Sequence, residues 1–97
     1  MRIYKYQFPG PGDVVEINMP LGALCLTVQV QREQPCIWAM INETEKRTEI
    51  KKFMVAGTGH DLTFPPGESR YIGTFQLVGG SLVYHVFELA RGETCDR

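Results

Sequence analysis

Two runs of aromatic and β-branched residues, joined by a glycine pair, constrain the fold of this 97-residue chain most strongly. Both runs lie between Tyr71 and Leu89, and Gly79-Gly80 separates them. A tight turn needs positive φ, which glycine adopts without a Cβ clash, so the pattern predicts a β-hairpin. Both arms are apolar enough to lie inside a sheet, and the rest of the chain is expected to add strands to this pair.

Alternation of polar and apolar residues predicts most of those further strands. One segment places Val15, Ile17 and Met19 on a single face. In the segment from Leu24 to Gln31, the alternation predicts that the even-numbered residues face the core and the odd-numbered residues face outward. The even-numbered set is Leu24, Leu26, Val28 and Val30.

The segment from Cys36 to Ile41 is apolar on both faces and predicts a central strand, with Trp38 as a core anchor. The segment from Thr48 to Ala56 fits a period of two imperfectly, so a strand with a bulge and a short helical turn both stay open. No segment shows a sustained 3.6-residue period. The chain is therefore predicted to be all-β, with about seven antiparallel strands in a small sandwich or barrel.

Length and charge limit the organisation of the chain and its partners. The chain is predicted to form a single β domain over residues 1–90, followed by a polar C-terminal tail over residues 91–97. Ten basic and eleven acidic residues give a net charge of −1, and no long Lys/Arg run exists, which argues against binding to nucleic-acid polymers. A domain this small gains stability from association, so a homo-oligomer is expected.

The cysteines and the apolar segments indicate the compartment. Cys25, Cys36 and Cys95 form no C-x-x-C pair, and their odd number predicts reduced thiols. Small buried side chains are the favoured interpretation of Cys25 and Cys36, and a pair facing across neighbouring strands is the alternative. No signal peptide and no eighteen-residue apolar run is present, so the prediction is a cytoplasmic protein with no membrane contact.

One glycine-rich loop is the predicted ligand-binding site. In Gly57-Thr58-Gly59-His60, two glycines allow successive backbone N–H groups to converge on an anion, while Thr58 and His60 add side-chain donors. Arg70 lies on the far side of the Leu62–Ser69 loop and would complement a phosphate there. The alternative is that the glycines only relieve a tight turn after a strand.

No pattern of catalytic or metal-ligating residues is visible. The serines lack a Gly-x-Ser-x-Gly elbow, and the spacing of two histidines and three cysteines builds no zinc site. His85, among apolar neighbours in the second hairpin arm, is predicted to be a satisfied core or interface residue. The sequence therefore predicts a protein that is not an enzyme and that uses no metal and no cofactor.

Several stretches together resemble a family of small proteins found in bacteriophages, prophages and their hosts. They cover nearly the whole chain: Ile3–Tyr6, Met19–Ala23, Val28–Gln31, Pro35–Ala39, Gly57–His60, Tyr71–Phe75 and His85–Glu88. The resemblance implies a compact accessory protein in the bacterial host cytoplasm, and it transfers no residue role.

Two functional classes follow from that context. The first is a non-catalytic protein that sequesters a small, cyclic-nucleotide-like signal of host defence, because such a protein needs a pocket and not a catalytic constellation. The second is an anti-defence inhibitor or virion accessory protein that acts by protein–protein contact, through an edge strand or the aromatic pair Tyr4 and Tyr6.

Overall fold

The computed structural model describes residues 1–9, 12–62 and 69–89. These residues form seven β-strands and no α-helix. The strands are β1 (Arg2–Gln7), β2 (Val14–Pro20), β3 (Leu24–Gln31), β4 (Gln34–Ile41), β5 (Thr48–Gly57), β6 (Ser69–Leu77) and β7 (Leu82–Leu89). The all-β prediction is confirmed.

The strands divide between two antiparallel sheets, which confirms the sandwich alternative. One sheet has the order β1-β4-β3 and the other has the order β2-β5-β7-β6. The sheets pack face to face, and β3 lies beside β6 along one edge of the sandwich. Strand β4 is central in its sheet, as its apolar character on both faces predicts.

The core lies between the sheets and is formed by one face of each strand. The predicted set Val15, Ile17 and Met19 is buried there. Phe53 and Val86, from the two central strands of the larger sheet, are also fully buried. The remaining core members include Phe8, Cys25, Val28, Ile37, Ala39, Ile41, Ile72 and Phe75.

The first half of β3 faces the opposite way from the prediction. Leu24 and Leu26 are 50 % and 37 % exposed, whereas Cys25 is buried. The reason is a register shift between Cys25 and Thr27, which inserts Leu26 as an extra residue opposite β4. A β-bulge of this kind reverses the alternation on one side of it. Val28, beyond the bulge, lies in the core as predicted.

Strand β4 also corrects the prediction for Trp38. The core face of this strand is formed by Ile37, Ala39 and Ile41. Trp38 alternates with them and is half-buried on the outer face of the three-stranded sheet. Its indole Nε1 is buried, and no hydrogen-bond partner for it exists among the described residues.

Strand β5 and the hairpin settle two further expectations. Thr48–Gly57 is a strand that pairs residue by residue with β2 and with β7, so neither a bulge nor a helical turn interrupts it. The β6–β7 hairpin is confirmed, and Gly79 and Gly80 have φ values of +62° and +98° in its connection. The connection covers residues 78–81; Val78 also has a positive φ, of +53°, and the N–H of Ser81 donates to the carbonyl oxygen of Val78 at 3.0 Å.

Some expectations fall outside the described residues. The predicted polar tail over residues 91–97, with Cys95, is among them, as is the end of the predicted domain at residue 90. Cys25 and Cys36 are buried and unbridged, and they lie opposite Ala39 and Gln29 and not opposite each other. In the part of the chain that is described, no helix is long and apolar enough to cross a membrane.

Candidate functional site

One end of the sandwich contains a cavity of about 560 Å³. It lies where β5 and β6 end and where β2 and β4 begin. Its size falls within the range of small-molecule sites, which are roughly 300–1,000 Å³. This cavity is therefore the candidate functional site.

Aromatic and aliphatic side chains form most of the cavity wall. Phe8, Phe75 and Tyr84 make a continuous row of rings. The ring centroids of Phe8 and Phe75 are 6.1 Å apart at an interplanar angle of 85°, and those of Phe75 and Tyr84 are 5.4 Å apart at 30°. Met54, Val55, Ala56, Leu77 and Pro35 complete the apolar lining. A wall of this kind suits a flat apolar ligand.

A few polar residues line the cavity as well. They are Asp13, Gln34, His60 and Asp61. Asp13 and Asp61 are exposed, and neither carboxylate forms an ion pair within the described residues. No lysine or arginine is among the described residues that line the cavity. The site therefore has an apolar body and an acidic polar part.

The turn Gly57–His60 brings His60 to this cavity. The backbone N–H of His60 donates to the carbonyl oxygen of Gly57 at 3.0 Å, and Gly59 has a φ of +87°. A positive φ at the third residue is typical of a type II turn and favours glycine. The His60 ring packs over Gly57, because a β-carbon there would lie 2.7 Å from its Nδ1 and Cε1 atoms. Gly57 and His60 both line the cavity.

The expected convergence of N–H donors in this loop is wrong. The N–H of Thr58 donates to the carbonyl oxygen of Val83 at 3.1 Å, and the N–H of His60 closes the turn. Both donors are therefore used within the protein and are not available to an anion. Of the two glycines in the loop, only Gly57 lines the cavity.

Thr58 turns away from the cavity and contacts His85. Its hydroxyl oxygen lies 2.8 Å from Nε2 of His85, and the hydroxyl of Thr74 lies 3.1 Å from Nδ1. The Tyr71 hydroxyl in turn contacts Thr74. His85 alternates with buried Val86, so this chain of hydrogen bonds lies on the outer face of the larger sheet. The ring nitrogens of His85 are hydrogen-bonded as predicted, but His85 lies on the outer face and not in the core. Thr58 does not share a face with His60.

The structure separates Arg70 from the other predicted site residues. Arg70 pairs with Glu88 on β7, whereas Gly57 pairs with Tyr84. These positions on β7 are four residues apart, or roughly 13 Å at about 3.3 Å per residue. The Arg70 guanidinium donates to the carbonyl oxygen of Cys25 and, at 3.2 Å, to Glu88. The expected proximity of Arg70 to the Gly57–His60 loop is therefore wrong.

Arg70, itself half exposed, belongs instead to an ionic cluster with Glu88 and the buried Lys51. Lys51 is 8 % exposed, and its Nζ lies 2.9 Å from Oε2 of Glu88 and 3.9 Å from Oε2 of Glu49. Burial, together with the charge of Glu88, raises the pKa of the nearby Cys25 thiol to about 12. A buried charge costs free energy unless it is paired, so the buried Lys51 ammonium depends on its carboxylate partners. The ion pairs that connect β5, β6 and β7 therefore have a structural role.

Exposed apolar side chains also lie on the outer face of the three-stranded sheet. Ile3 and Leu24 both pair with Met40, so the three share this face. Ile3 and Leu24 are exposed, and Trp38 follows Met40 along the same face.

Within the described residues, no group of three or more His, Cys, Asp or Glu side chains could hold a metal ion.

Sequence reasoning missed most of the cavity. Asp13 and Asp61 follow turn-forming residues, and Phe8, Phe75 and Tyr84 have the pattern of ordinary strand residues. Only the order of the strands brings them together, and no local signal in the sequence gives that order.

Comparison with known proteins gives a family and no established activity. No curated protein and no solved structure matches the chain. One family model matches residues 1–95, which is nearly the whole chain. The chain therefore belongs to the family described as a domain of unknown function, DUF7352.

Proposed function

We propose that this protein is a non-catalytic binding protein that captures a small molecule in the cavity at the end of the sandwich. The cavity itself is the observation that supports the proposal, because it combines about 560 Å³ of space with an apolar wall and a few polar groups. The resemblance to small phage proteins supports a role as an accessory protein in the bacterial host cytoplasm. Sequestration then requires only affinity and a sufficient number of protein copies.

The ligand expected from the sequence was a cyclic-nucleotide-like signal of host defence. A nucleobase would pack against the row of rings formed by Phe8, Phe75 and Tyr84. Its phosphate would lie near Asp13 and Asp61, without an arginine or lysine from the described lining. The proposal is therefore for a small-molecule ligand, and a nucleotide is one candidate to be tested.

Native mass spectrometry of the protein purified from bacteria tests this proposal. Cyclic and linear nucleotides and a library of aromatic amines, alcohols and acids are added, and the masses of protein and released ligand are recorded. We expect a stoichiometric mass increase, release of the ligand unaltered on denaturation, and a homo-oligomeric state. Release of an altered molecule would indicate an enzyme instead, and no binding of any compound would contradict the proposal.

A pair of matched variants tests the location of the ligand. Gln34 lines the cavity, whereas Gln31 lies opposite it in the β3–β4 hairpin and outside the cavity. Each side chain accepts one exposed hydrogen bond, so Gln34→Trp and Gln31→Trp lose similar contacts. We expect the tryptophan at position 34 to block binding and the tryptophan at position 31 to leave it unchanged. Equal ligand affinities of the two variants would show that the ligand does not bind in this cavity.

The second candidate function is protein–protein contact through the three-stranded sheet. The observation that favours it is a set of exposed apolar side chains on the two edge strands of this sheet, Ile3 on β1 and Leu24 and Leu26 on β3. Lys5→Glu and Ile3→Glu alter exposed side chains of that strand. If this function holds, both variants should lose a partner protein captured from host lysate while keeping small-molecule affinity. Retention of the partner by both would reject this surface.

A further inference from the structure

We infer that the ligand of the end cavity is an organic cation with a flat apolar body. This inference rests on the proposed function, since it names the chemical class of the molecule that the cavity binds. It follows from three properties of the lining, which are its charge, its aromatic surface and the hydrogen bonding of its turn.

The charge of the cavity is negative. Asp13 and Asp61 line it, and the described residues provide neither of them with an ion-pair partner. The two segments next to them that the structure does not describe, 10–11 and 63–68, contain no Lys or Arg in the sequence. A cationic group on the ligand would complement both carboxylates, whereas an anionic group would be repelled.

The aromatic surface also suits a cation. The ring of Phe75 packs between those of Phe8 and Tyr84, with centroid distances of 6.1 Å and 5.4 Å. An ammonium group near the face of such a ring is attracted by the ring quadrupole, and more strongly where water is excluded. The combination of aromatic walls with carboxylates at the polar end therefore favours an amine on an aromatic or aliphatic body.

The turn at the mouth of the cavity provides no anion site. The N–H groups of Thr58 and His60 donate to Val83 and Gly57, and the Thr58 hydroxyl contacts His85 on the other face. Arg70, the cation that the sequence placed nearby, is hydrogen-bonded to Cys25 and Glu88. The backbone N–H groups of Thr58 and His60 and the Arg70 guanidinium are therefore engaged within the protein, and of these groups none is left to balance a phosphate in the cavity.

Three indole compounds of similar size and different charge test the inference. They are tryptamine, a cation; tryptophol, which is neutral; and indole-3-acetate, an anion. Dissociation constants are measured by calorimetry at about 20 mM and at about 500 mM salt, because added salt screens charge interactions. We expect tryptamine to bind roughly tenfold more tightly than tryptophol at low salt, with the difference reduced at high salt, and indole-3-acetate to bind most weakly.

Three amide variants locate the effect. Asp13→Asn and Asp61→Asn should each weaken tryptamine binding roughly threefold and leave the affinity for tryptophol unchanged. Glu16→Gln is the matched control, since Glu16 is an exposed carboxylate on β2 that pairs with Lys52 outside the cavity. It should change neither affinity.

The outcomes separate this inference from the proposed function. Equal affinity for the three compounds, or tightest binding of indole-3-acetate, would overturn the cation inference while leaving the cavity as a binding site. Binding of none of these compounds, together with no hit in the mass-spectrometry library, would overturn both. If Glu16→Gln weakens tryptamine binding as much as Asp13→Asn does, the effect is one of overall charge and not of the cavity. That result would also overturn the inference.

Discussion

The imidazole ring of His60 lies over the α-carbon of Gly57, so close that a β-carbon at position 57 would be 2.7 Å from Nδ1 and Cε1. The backbone hydrogen bond from His60 to Gly57 fixes this arrangement within one turn. Glycine at position 57 therefore allows the imidazole to reach the cavity, which explains the first glycine of the loop without any role in anion binding.

Gly57→Ala should be unfavourable only while His60 is present. In the wild-type background the methyl group must displace the ring, and we expect a cost of about 1 kcal/mol in the free energy of unfolding. In a His60→Ala background the same substitution should be neutral or stabilising, because alanine loses less backbone entropy on folding than glycine. Urea unfolding of the four proteins measures the difference. An equal cost in both backgrounds would contradict the contact.

Thr58→Val should leave ligand affinity unchanged. The Thr58 hydroxyl contacts His85 on the outer face of the larger sheet, and valine keeps the shape of the side chain while removing the hydroxyl. We expect a loss of roughly 1 kcal/mol in stability from the unpaired imidazole nitrogen. His60→Ala is the comparison and should alter affinity, because His60 lines the cavity. Calorimetry with tryptamine would contradict this account if Thr58→Val reduced binding more than His60→Ala.

Lys51→Met should destabilise the protein far more than Lys52→Met. Lys51 is buried and pairs with Glu88 and Glu49, so its removal takes one cation from two largely buried carboxylates and leaves Glu88 with Arg70, at a cost of about 3 kcal/mol. Lys52, the next residue, pairs at 3.5 Å with exposed Glu16, and its loss should cost within about 0.5 kcal/mol. Adding Glu88→Gln to Lys51→Met should restore part of the loss. Equal midpoints of urea unfolding for the two single variants would refute the buried pairing.

Cys25 should make the protein less stable at alkaline pH. Burial raises the pKa of its thiol from 9.0 to about 12. Between these values the unfolded chain has released the thiol proton and the folded chain still holds it, so the stability present below pH 9 falls as the pH rises. The free energy of unfolding should fall less steeply above pH 9 in Cys25→Ala than in the wild type. Parallel pH profiles would argue against this cause.

The sequence predicts the fold well wherever alternation is regular. The faces of β2 and the β6–β7 hairpin follow directly from the spacing of Val15, Ile17 and Met19 and from Gly79-Gly80. The prediction for β3 fails because the extra residue Leu26 reverses the alternation, and nothing in an apolar run marks such a bulge.

The candidate site could be predicted only in part. The sequence predicts Gly57 and His60 as parts of an anion-binding loop, and both line the cavity, although the loop's predicted anion site is not formed. Arg70 was misplaced because its closeness was inferred from a shared loop, whereas the β6–β7 register sets it opposite Glu88. Asp13 and Phe8 lie far from His60 in the sequence: the pairing of β2 with β5 brings Asp13 to the cavity, and the packing of the two sheets brings Phe8 there.

The most direct test of the central claim is a titration of ¹⁵N-labelled protein with tryptamine, followed by NMR with assigned backbone amides. The account predicts that the amides shifting most belong to residues around the cavity, such as Phe8, Asp13 and Tyr84, and that Gln34→Trp abolishes these shifts. Shifts centred on Ile3, Leu24 and Trp38, on the outer face of the three-stranded sheet, would contradict the account and place the binding surface there.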